Sequence, residues 1–231
     1  MKKATLIISL VAVLSLQSFA QSKTNSFGIK FGPTFDWASS GSTASSNEGM
    51  RMGFVVGGVY DYNLNNYFAL SSGINVNFWR GHYQFSDYRN ISNFLEKMQI
   101  KADRRVRSTY VTIPLAAKAK VHIIDGLKAF AIVGADLGVN VDTKAKDKYD
   151  LYWVTYTDDT FSDEYAEQYR WLQAALDFGL GAEYQINKQF SAFAQLSFNH
   201  ALTNSFNRAM ARETESDIKT NFIGIEVGIM Y

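Results

Sequence analysis

The chain contains no cysteine and only two prolines among 231 residues. The absence of cysteine excludes a disulfide framework and thiolate metal sites. The scarcity of proline, together with 15% aromatic residues, favours extended, β-rich structure. A dominant charge is also missing, because 23 basic and 22 acidic residues leave a formal net charge of +1. Net charge therefore gives no reason to expect nucleic acid as a partner.

Long hydrophobic runs are missing except near the amino terminus. That run covers residues 4–16, follows two lysines, and precedes the small-x-small tripeptide SFA at 18–20. This order is typical of a secretory signal peptide. A retained membrane anchor is the alternative, but the run is shorter than the roughly 20 residues of a membrane span, and no stop-transfer pattern follows. We predict a signal peptide at 1–20 and one β-barrel domain at 21–231.

Eight segments of the remaining chain alternate apolar and polar residues with a period of two, which predicts β-strands. Each is long for a soluble strand and close to the roughly 9 to 11 residues that cross a bilayer at a tilt. Short and long connections alternate between them, as in membrane barrels with tight periplasmic turns and long external loops. The segments are 27–37, 51–62, 67–80, 108–121, 128–141, 169–185, 190–202 and 220–231.

These patterns predict an all-β fold: an eight-stranded, antiparallel, up-and-down transmembrane β-barrel with short periplasmic turns and long extracellular loops. One register carries large apolar side chains, whereas the other carries the charges and every strand glycine except Gly58. Because eight strands enclose little space, we expect the charged register to face inward and the apolar one to face lipid. A soluble barrel with an apolar interior is the alternative. The expected lumen charge network is Lys30, Arg51, Asp61, Lys118, Asp136, Asp177, Glu183 and Glu226, with Asp36, Lys120 and Lys128 in the same register.

Some strand residues conflict with a regular wall. Pro33 and Pro114 lie inside strands, although proline cannot donate to a ladder, so each must sit at a bulge or lose a hydrogen bond. Phe130 and Ile132 share the register of Asp136. The direction in which the fifth segment faces is therefore left open.

The last residues, NFIGIEVGIMY, alternate and stop on an aromatic side chain. This ending resembles the carboxy-terminal signal that barrel-assembly machinery reads, and Tyr231 would also serve as an interfacial girdle residue. With TYVTIPLAAKAK (109–120), LDFGLGAEY (176–184) and HALTN (200–204), it resembles the PorT-like outer-membrane β-barrel family of Bacteroidota, also labelled the porin family. The resemblance implies an eight-stranded barrel in the cell outer membrane. One branch of that family is linked to protein secretion.

The second long connection contains two candidate interaction features. DYRNISNFLEKMQI (87–100) places apolar residues at i, i+3, i+4 and i+7 from Ile91, which predicts a short helix. That helix would either bind a partner or cover the barrel mouth. The KADRRVR run follows, and guanidinium groups pair well with the phosphates of lipopolysaccharide; a solvated charge run is the alternative. The candidate lipopolysaccharide contacts are Lys101, Arg104, Arg105 and Arg107.

The third long connection, residues 142–168, mixes aromatic residues with an acidic cluster. The cluster lacks the fixed spacing and the glycine of a calcium loop, so we predict no metal site and no cofactor. The aromatic residues are expected either to continue the neighbouring strands beyond the bilayer or to form a binding tip.

No motif predicts catalysis. His200 lies near Ser197 and Ser205, but the His-x-Ser spacing of a lipid A deacylase would require serine where Leu202 stands. We therefore predict no enzyme and a structural or interaction role at the cell surface, without an open aqueous pore. An accessory component of protein secretion or transport across the outer membrane is the alternative. Expected partners are outer-membrane lipid and lipopolysaccharide, the barrel-assembly machinery, and a secretion or surface protein.

Overall fold

A computed structural model describes residues 25–40, 45–47, 49–90, 97–151, 154–157, 161, 169–205 and 218–231. The signal peptide predicted at 1–20 lies outside them. Within these ranges no helix is both long and apolar enough to cross a membrane. The strands are β1 (Asn25–Ser40), β2 (Ser45–Asn47), β3 (Arg51–Asn63), β4 (Phe68–Asn90), β5 (Lys97–Ile124), β6 (Leu127–Leu151), β7 (Val154–Thr157), β8 (Leu172–Gln185), β9 (Ser191–Ala201) and β10 (Ile218–Met230).

Eight of these strands close into one antiparallel barrel. The order around the wall is β1, β3, β4, β5, β6, β8, β9 and β10, and β1 pairs with β10 to complete the ring. In that seam Gly28 lies opposite Met230. The short strands extend the wall, because β2 pairs with β4 and β7 pairs with the end of β6. The predicted eight-stranded up-and-down fold is confirmed.

Three strands are longer than predicted. β4, β5 and β6 contain 23, 28 and 25 residues, so most of the expected second loop belongs to a hairpin. The helix predicted over 87–100 is wrong wherever the chain is described, since 87–90 and 97–100 pair with each other as strands; residues 91–96 lie outside the described ranges. Pairing satisfies the backbone there, whereas a single short helix is marginal in water.

The two registers face as predicted. Large apolar side chains point away from the barrel, and Ile29, Leu115 and Leu180 are 65%, 54% and 66% exposed. The charged register points inward, where Asp61 is 0% and Glu226 is 2% exposed. A soluble barrel would require the opposite arrangement. The outer surface of this wall is suited to lipid.

Both prolines interrupt the ladder on one side only. The pairing of β1 with β10 skips residues 32–33, and the pairing of β4 with β5 skips 113–114. The register is the same before and after each gap, and the pairing on the other side of each proline continues. Each proline therefore removes a rung of the ladder and produces no bulge.

A bulge does occur in β6, at Val141. Thr109 of β5 pairs with Asp142, whereas Tyr110 pairs with Asn140, so Val141 is the extra residue. Up to this point the even-numbered residues of β6 face the lumen, and beyond it the odd-numbered residues do. Phe130 accordingly lies inside the barrel, which settles the direction in which the fifth segment faces.

The three short turns lie at the end of the barrel that also holds Asn25 and Tyr231. Asn65 and Asn187 each accept hydrogen bonds at 2.8 Å from two backbone N–H groups that follow them. The remaining turn uses Gly126, whose φ of 79° suits glycine best. Membrane barrels place such turns in the periplasm, so the opposite end, with the long hairpins, faces outward.

Candidate functional site

Ion pairs fill the half of the lumen near the short turns. The Nζ atom of Lys118 lies 2.7 Å from Oδ2 of Asp61 and 3.7 Å from Oε2 of Glu183. The same ammonium lies 4.3 Å from the centroid of the Phe130 ring. The Ser71 hydroxyl also donates to Asp61 at 2.6 Å. These buried charges are thus paired and hydrogen-bonded, as buried charges must be to avoid a large desolvation cost.

A second group of charges surrounds Lys30 at mid-barrel. Its Nζ atom lies 2.7 Å from Oε2 of Glu226, which is also a hydrogen-bond acceptor from the Gln195 amide at 3.0 Å. The hydroxyl of Ser197 donates to the other oxygen of Glu226. Asp136 and Asp177 lie within electrostatic reach of Lys30. The positive charge of Lys30 therefore interacts favourably with three carboxyl groups.

Arg51, which we predicted in the lumen charge network, does not join it. It lies at the first position of β3, is exposed, and contacts Nδ1 of His82 with its Nη2 at 2.8 Å. Because a guanidinium only donates, Nδ1 of His82 accepts and Nε2 carries the proton toward Asp103, at 2.7 Å. Because Arg51 lies at the end of a strand, its long side chain can extend past the strand end and contact His82 on the outer face. The other seven predicted members of the network are buried or half-buried.

An aromatic plug closes the lumen above these charges, toward the long hairpins. The Nε1 of Trp79 donates to the backbone oxygen of Asn221 at 3.2 Å, and the hydroxyls of Tyr83 and Tyr169 lie 3.0 Å apart. We define the aromatic plug as Trp79, Tyr83, Tyr110 and Tyr169 with Ala38, Val106, Ala145 and Ile218, all at most 8% exposed. Sequence reasoning missed the plug because it assigned most of these positions to loops.

Two small spaces lie within the described interior. One cavity of about 20 Å³ lies between the plug and the charges, against Asp36, Asn77, Tyr110 and Asp136. Another of about 30 Å³ lies beside Lys30. Each volume holds about one or two water molecules.

The four predicted lipopolysaccharide contacts separate in the structure. Arg105 and Arg107 are exposed on the outer face of β5. Arg104 faces inward, and its Nε and Nη2 atoms each lie 2.7 Å from an oxygen of Asp147; its prediction as a lipid contact is wrong because alternation turns it to the other face. The backbone of Lys101 lies opposite Asp150, but its side chain is not among those described.

Further cations that sequence reasoning did not group flank the two exposed arginines. In the registers of β4, β5 and β6, Arg107 lies opposite both Arg80 and Lys144, and Arg105 lies opposite Lys146. These neighbours were missed because the third and fifth segments were predicted to end at 80 and 141. We call Arg80, Arg105, Arg107, Lys144 and Lys146 the cation patch.

The candidate catalytic residues do not come together. His200 faces outward and stacks on Phe198, whereas Ser197 faces the lumen and donates to Glu226. A nucleophile and its base must lie within hydrogen-bond reach, and opposite faces of β9 prevent this. Among the described residues no group of three or more acidic, histidine or cysteine side chains is arranged to hold a metal ion.

Tyr231 lies at the short-turn end of the barrel. Its backbone exchanges hydrogen bonds with Phe27 at 2.6 and 3.0 Å, which extends the seam between the first and last strands. Its ring lies 5.3 Å from that of Phe190 and is 62% exposed. This position suits an interfacial aromatic side chain.

No curated protein matches the chain. Among solved structures, Neisserial surface protein A is 14% identical, with a TM-score of 0.38 and coverage of 88% of this chain and 95% of that chain. The N-terminal β-barrel domain of Pseudomonas aeruginosa OprF is 13% identical, with a TM-score of 0.41 and coverage of 91% and 100%. The outer membrane protease OmpT of Escherichia coli is 9% identical, with a TM-score of 0.38 and coverage of 93% and 99%.

Likeness at this level carries no information about activity. The family model described as "Outer membrane protein beta-barrel domain" matches residues 19–207, which is well over half of the chain. That description agrees with the closed β-barrel of the structure. The chain belongs to the outer membrane protein beta-barrel domain family, and this membership implies an outer-membrane location.

Proposed function

We propose that this protein is a structural or interaction barrel of the outer membrane and has no open aqueous pore. The filled lumen is the observation that supports this most directly. Ion pairs around Lys118 and Lys30 occupy one half of it, and the aromatic plug occupies the other. The lumen of an eight-stranded barrel is too narrow for a water-filled channel once side chains of this size face inward.

The outer hairpins support the interaction role. β4, β5 and β6 continue past the lipid-facing band, and the buried ion pair of Arg104 with Asp147 joins β5 to β6 inside this extension. A wall of paired strands presents its tips more rigidly than separate loops would. Binding residues on loops held by a rigid scaffold are a common arrangement.

The proposal includes the absence of catalysis, which the separation of His200 from Ser197 supports. The segments around Pro114 and Asp177 support a place in the PorT-like outer-membrane β-barrel family, one branch of which is linked to protein secretion. An accessory role in protein secretion or transport is therefore the second candidate. A signal peptide cleaved before Gln21 and recognition of the terminal strand by the assembly machinery belong to the same proposal.

Conductance in planar lipid bilayers tests the closed lumen. The purified protein should produce no stable conductance steps at ionic strengths where a general porin, reconstituted in parallel, opens channels. Stable channels of nanosiemens size would refute the proposal, because neither cavity in the described interior could carry them.

Co-purification separates the two roles. The barrel is extracted from the outer membrane after mild cross-linking, and its bound proteins are identified. A surface interaction protein should bring down a partner exposed outside the cell, and deletion of the barrel should leave protein export unchanged. Recovery of export machinery, together with loss of a secreted protein on deletion, would favour the second candidate.

A further inference from the structure

Three buried side chains around one lumen cavity each have an oxygen without a hydrogen-bond partner. Asp36, Asn77 and Asp136 line the cavity of about 20 Å³ between the plug and the charges, and they are 0%, 8% and 6% exposed. The Oδ1 atom of each is buried and accepts no hydrogen bond from the described residues. Buried polar groups are normally paired, and an unpaired buried carboxylate is especially costly. Three side chains whose oxygens require a partner therefore surround one cavity.

The other end of each of these side chains is fixed by a hydrogen bond. Oδ2 of Asp36 accepts from a backbone N–H of β4 at 2.8 Å, and Oδ2 of Asp136 accepts from the Asn199 amide at 2.8 Å. The Nδ2 of Asn77 donates to Oγ1 of Thr112 at 3.0 Å. Hydrogen-bond partners of this kind orient the ligands of metal ions in proteins. The unpaired oxygens are thus held in place by the surrounding structure.

The two carboxylates at the cavity lack a close positive charge. Asp36 and Asp136 form no ion pair in the described part of the chain, and no lysine or arginine is among the described residues that line the cavity. Lys30 lies within electrostatic reach of Asp136, but its ammonium is already paired with Glu226 at 2.7 Å. Arg80 acts on Asp36 from the outer face of β4, where its side chain is exposed. A cation in the cavity would balance both carboxylates.

The size of the cavity limits its occupant to one small molecule or ion. A volume of about 20 Å³ holds about one water molecule. That water would donate two hydrogen bonds to three oxygens and would leave both carboxylate charges uncompensated. A calcium ion compensates both charges, and it accepts oxygen ligands, carboxylates and amide carbonyls among them, in a flexible geometry. The side chains of Thr34 and Thr112 line the same cavity and add hydroxyl oxygens.

We infer that the lumen binds one calcium ion through Asp36, Asn77 and Asp136. The ligands come from β1, β4 and β6, so the ion joins three strands that are not neighbours in the wall. Trp79 and Tyr110 of the plug line the same cavity. They exclude bulk water, which strengthens the attraction between the ion and the carboxylates.

This site differs from the metal site that sequence reasoning looked for. One of its ligands is an amide, and it therefore does not form a group of three acidic, histidine or cysteine side chains, which the described residues do not contain. Ligands that lie singly on three distant strands form no motif, so the sequence predicted no metal site. The inference does not depend on which of the two proposed roles is correct.

The experiment measures calcium bound to the full mature barrel. The protein is refolded from urea into a non-ionic detergent without lipopolysaccharide, whose phosphates would bind calcium, and then desalted for metal analysis. The test variants are Asp36→Asn and Asp136→Asn, which remove one charge while the amide oxygen can keep the existing hydrogen bond. Glu183→Gln is the matched control, because it removes a lumen carboxylate beside Lys118 that does not line the cavity.

We expect about one calcium ion per chain in the original protein and in the control. Each test variant should bind calcium at least about tenfold more weakly, because a charged ligand is lost. Magnesium should bind the original protein more weakly, since it gives up its water reluctantly, and sodium should do so because it carries half the charge. Equal calcium binding by the test variants, no calcium in the original protein, or equal binding of magnesium or sodium would overturn the inference.

Urea unfolding provides an independent readout. Calcium should raise the unfolding midpoint of the original protein by mass action and should leave both test variants nearly unchanged. Without calcium the test variants should be at least as stable as the original protein, because each has lost an unpaired buried charge. Test variants that are less stable, or that fail to fold, would show a merely structural role and would overturn the inference. Stabilisation of the original barrel by acid but not by calcium would also overturn it, because protons would then neutralise the carboxylates.

Discussion

Removal of the Lys30 ammonium tests the physical basis of the filled lumen. In Lys30→Met a side chain of similar length replaces the cation 2.7 Å from Glu226, which is only 2% exposed. Gln195 and Ser197 still donate to this carboxylate, but no ammonium balances it. Breaking a buried pair by removing one partner costs about 3 to 5 kcal/mol of the free energy of unfolding.

The measurement is urea unfolding in detergent micelles, followed by the mobility of the folded band on unheated gels. At an m-value of about 2 kcal/mol/M, the midpoint should fall by about 2 M. The double variant Lys30→Met with Glu226→Gln should recover the part of this loss that Glu226 causes, because a neutral amide can accept from Gln195, donate to the Ser197 hydroxyl and needs no counter-charge. Lys188→Met, in an exposed turn, is the control and should change stability by less than about 0.5 kcal/mol.

The reasoning fails if Lys30→Met behaves like the Lys188 control. It fails equally if the Glu226→Gln change brings no recovery, since the loss would then come from packing and not from an unpaired charge. A coupling free energy between the two sites is the quantity that decides.

Three further predictions follow from the described residues. Gly57→Ala should destabilise the barrel by more than about 1 kcal/mol, because the new Cβ would lie 2.2 Å from a neighbouring asparagine oxygen, whereas Gly58→Ala, with no atom closer than 3.9 Å, should be close to neutral in the same urea titration. Arg104→Met leaves Asp147 buried without its guanidinium and should increase protease cleavage of the outer hairpins while the gel mobility of the barrel stays unchanged. N-terminal sequencing of protein from the outer membrane should begin at Gln21, and a retained run of residues 1–20 would contradict the predicted signal peptide.

The alternation of apolar and polar residues was sufficient to predict the barrel wall, because contact with lipid requires this alternation. Within the bilayer the outward side chains of each strand must be apolar, whereas the charged residues and most glycines face the narrow lumen. Apolar residues such as Ile29 therefore alternate with polar ones such as Glu226. Beyond the lipid band the outward side chains are charged, and the inward ones include both apolar residues of the plug and the charged pair of Arg104 and Asp147. The contrast between faces then disappears, and the outer parts of β4, β5 and β6 were read as loops.

The sequence predicted which charged residues face the lumen, but it did not predict which of them pair with one another. The charged register correctly named Lys30, Glu226, Asp61 and Lys118 as inward residues, because parity depends on local sequence. Which carboxylate meets which ammonium depends on strands that are distant along the chain. Arg51 is an exception to the alternation rule, because its position at the end of a strand allows its side chain to contact His82.

The sequence by itself determined a closed eight-stranded wall with hydrocarbon outside and charges inside, because a period of two in contact with lipid allows no other arrangement. Tertiary structure alone decided the cation patch. Uninterrupted alternation from Asp136 would turn Lys144 and Lys146 into the lumen, but the bulge at Val141 reverses the faces of β6. That one extra residue brings the lysines to Arg105 and Arg107 outside and directs Asp147 inward to Arg104. The position of a β-bulge depends on both paired strands, so it cannot be inferred from the sequence of either strand alone.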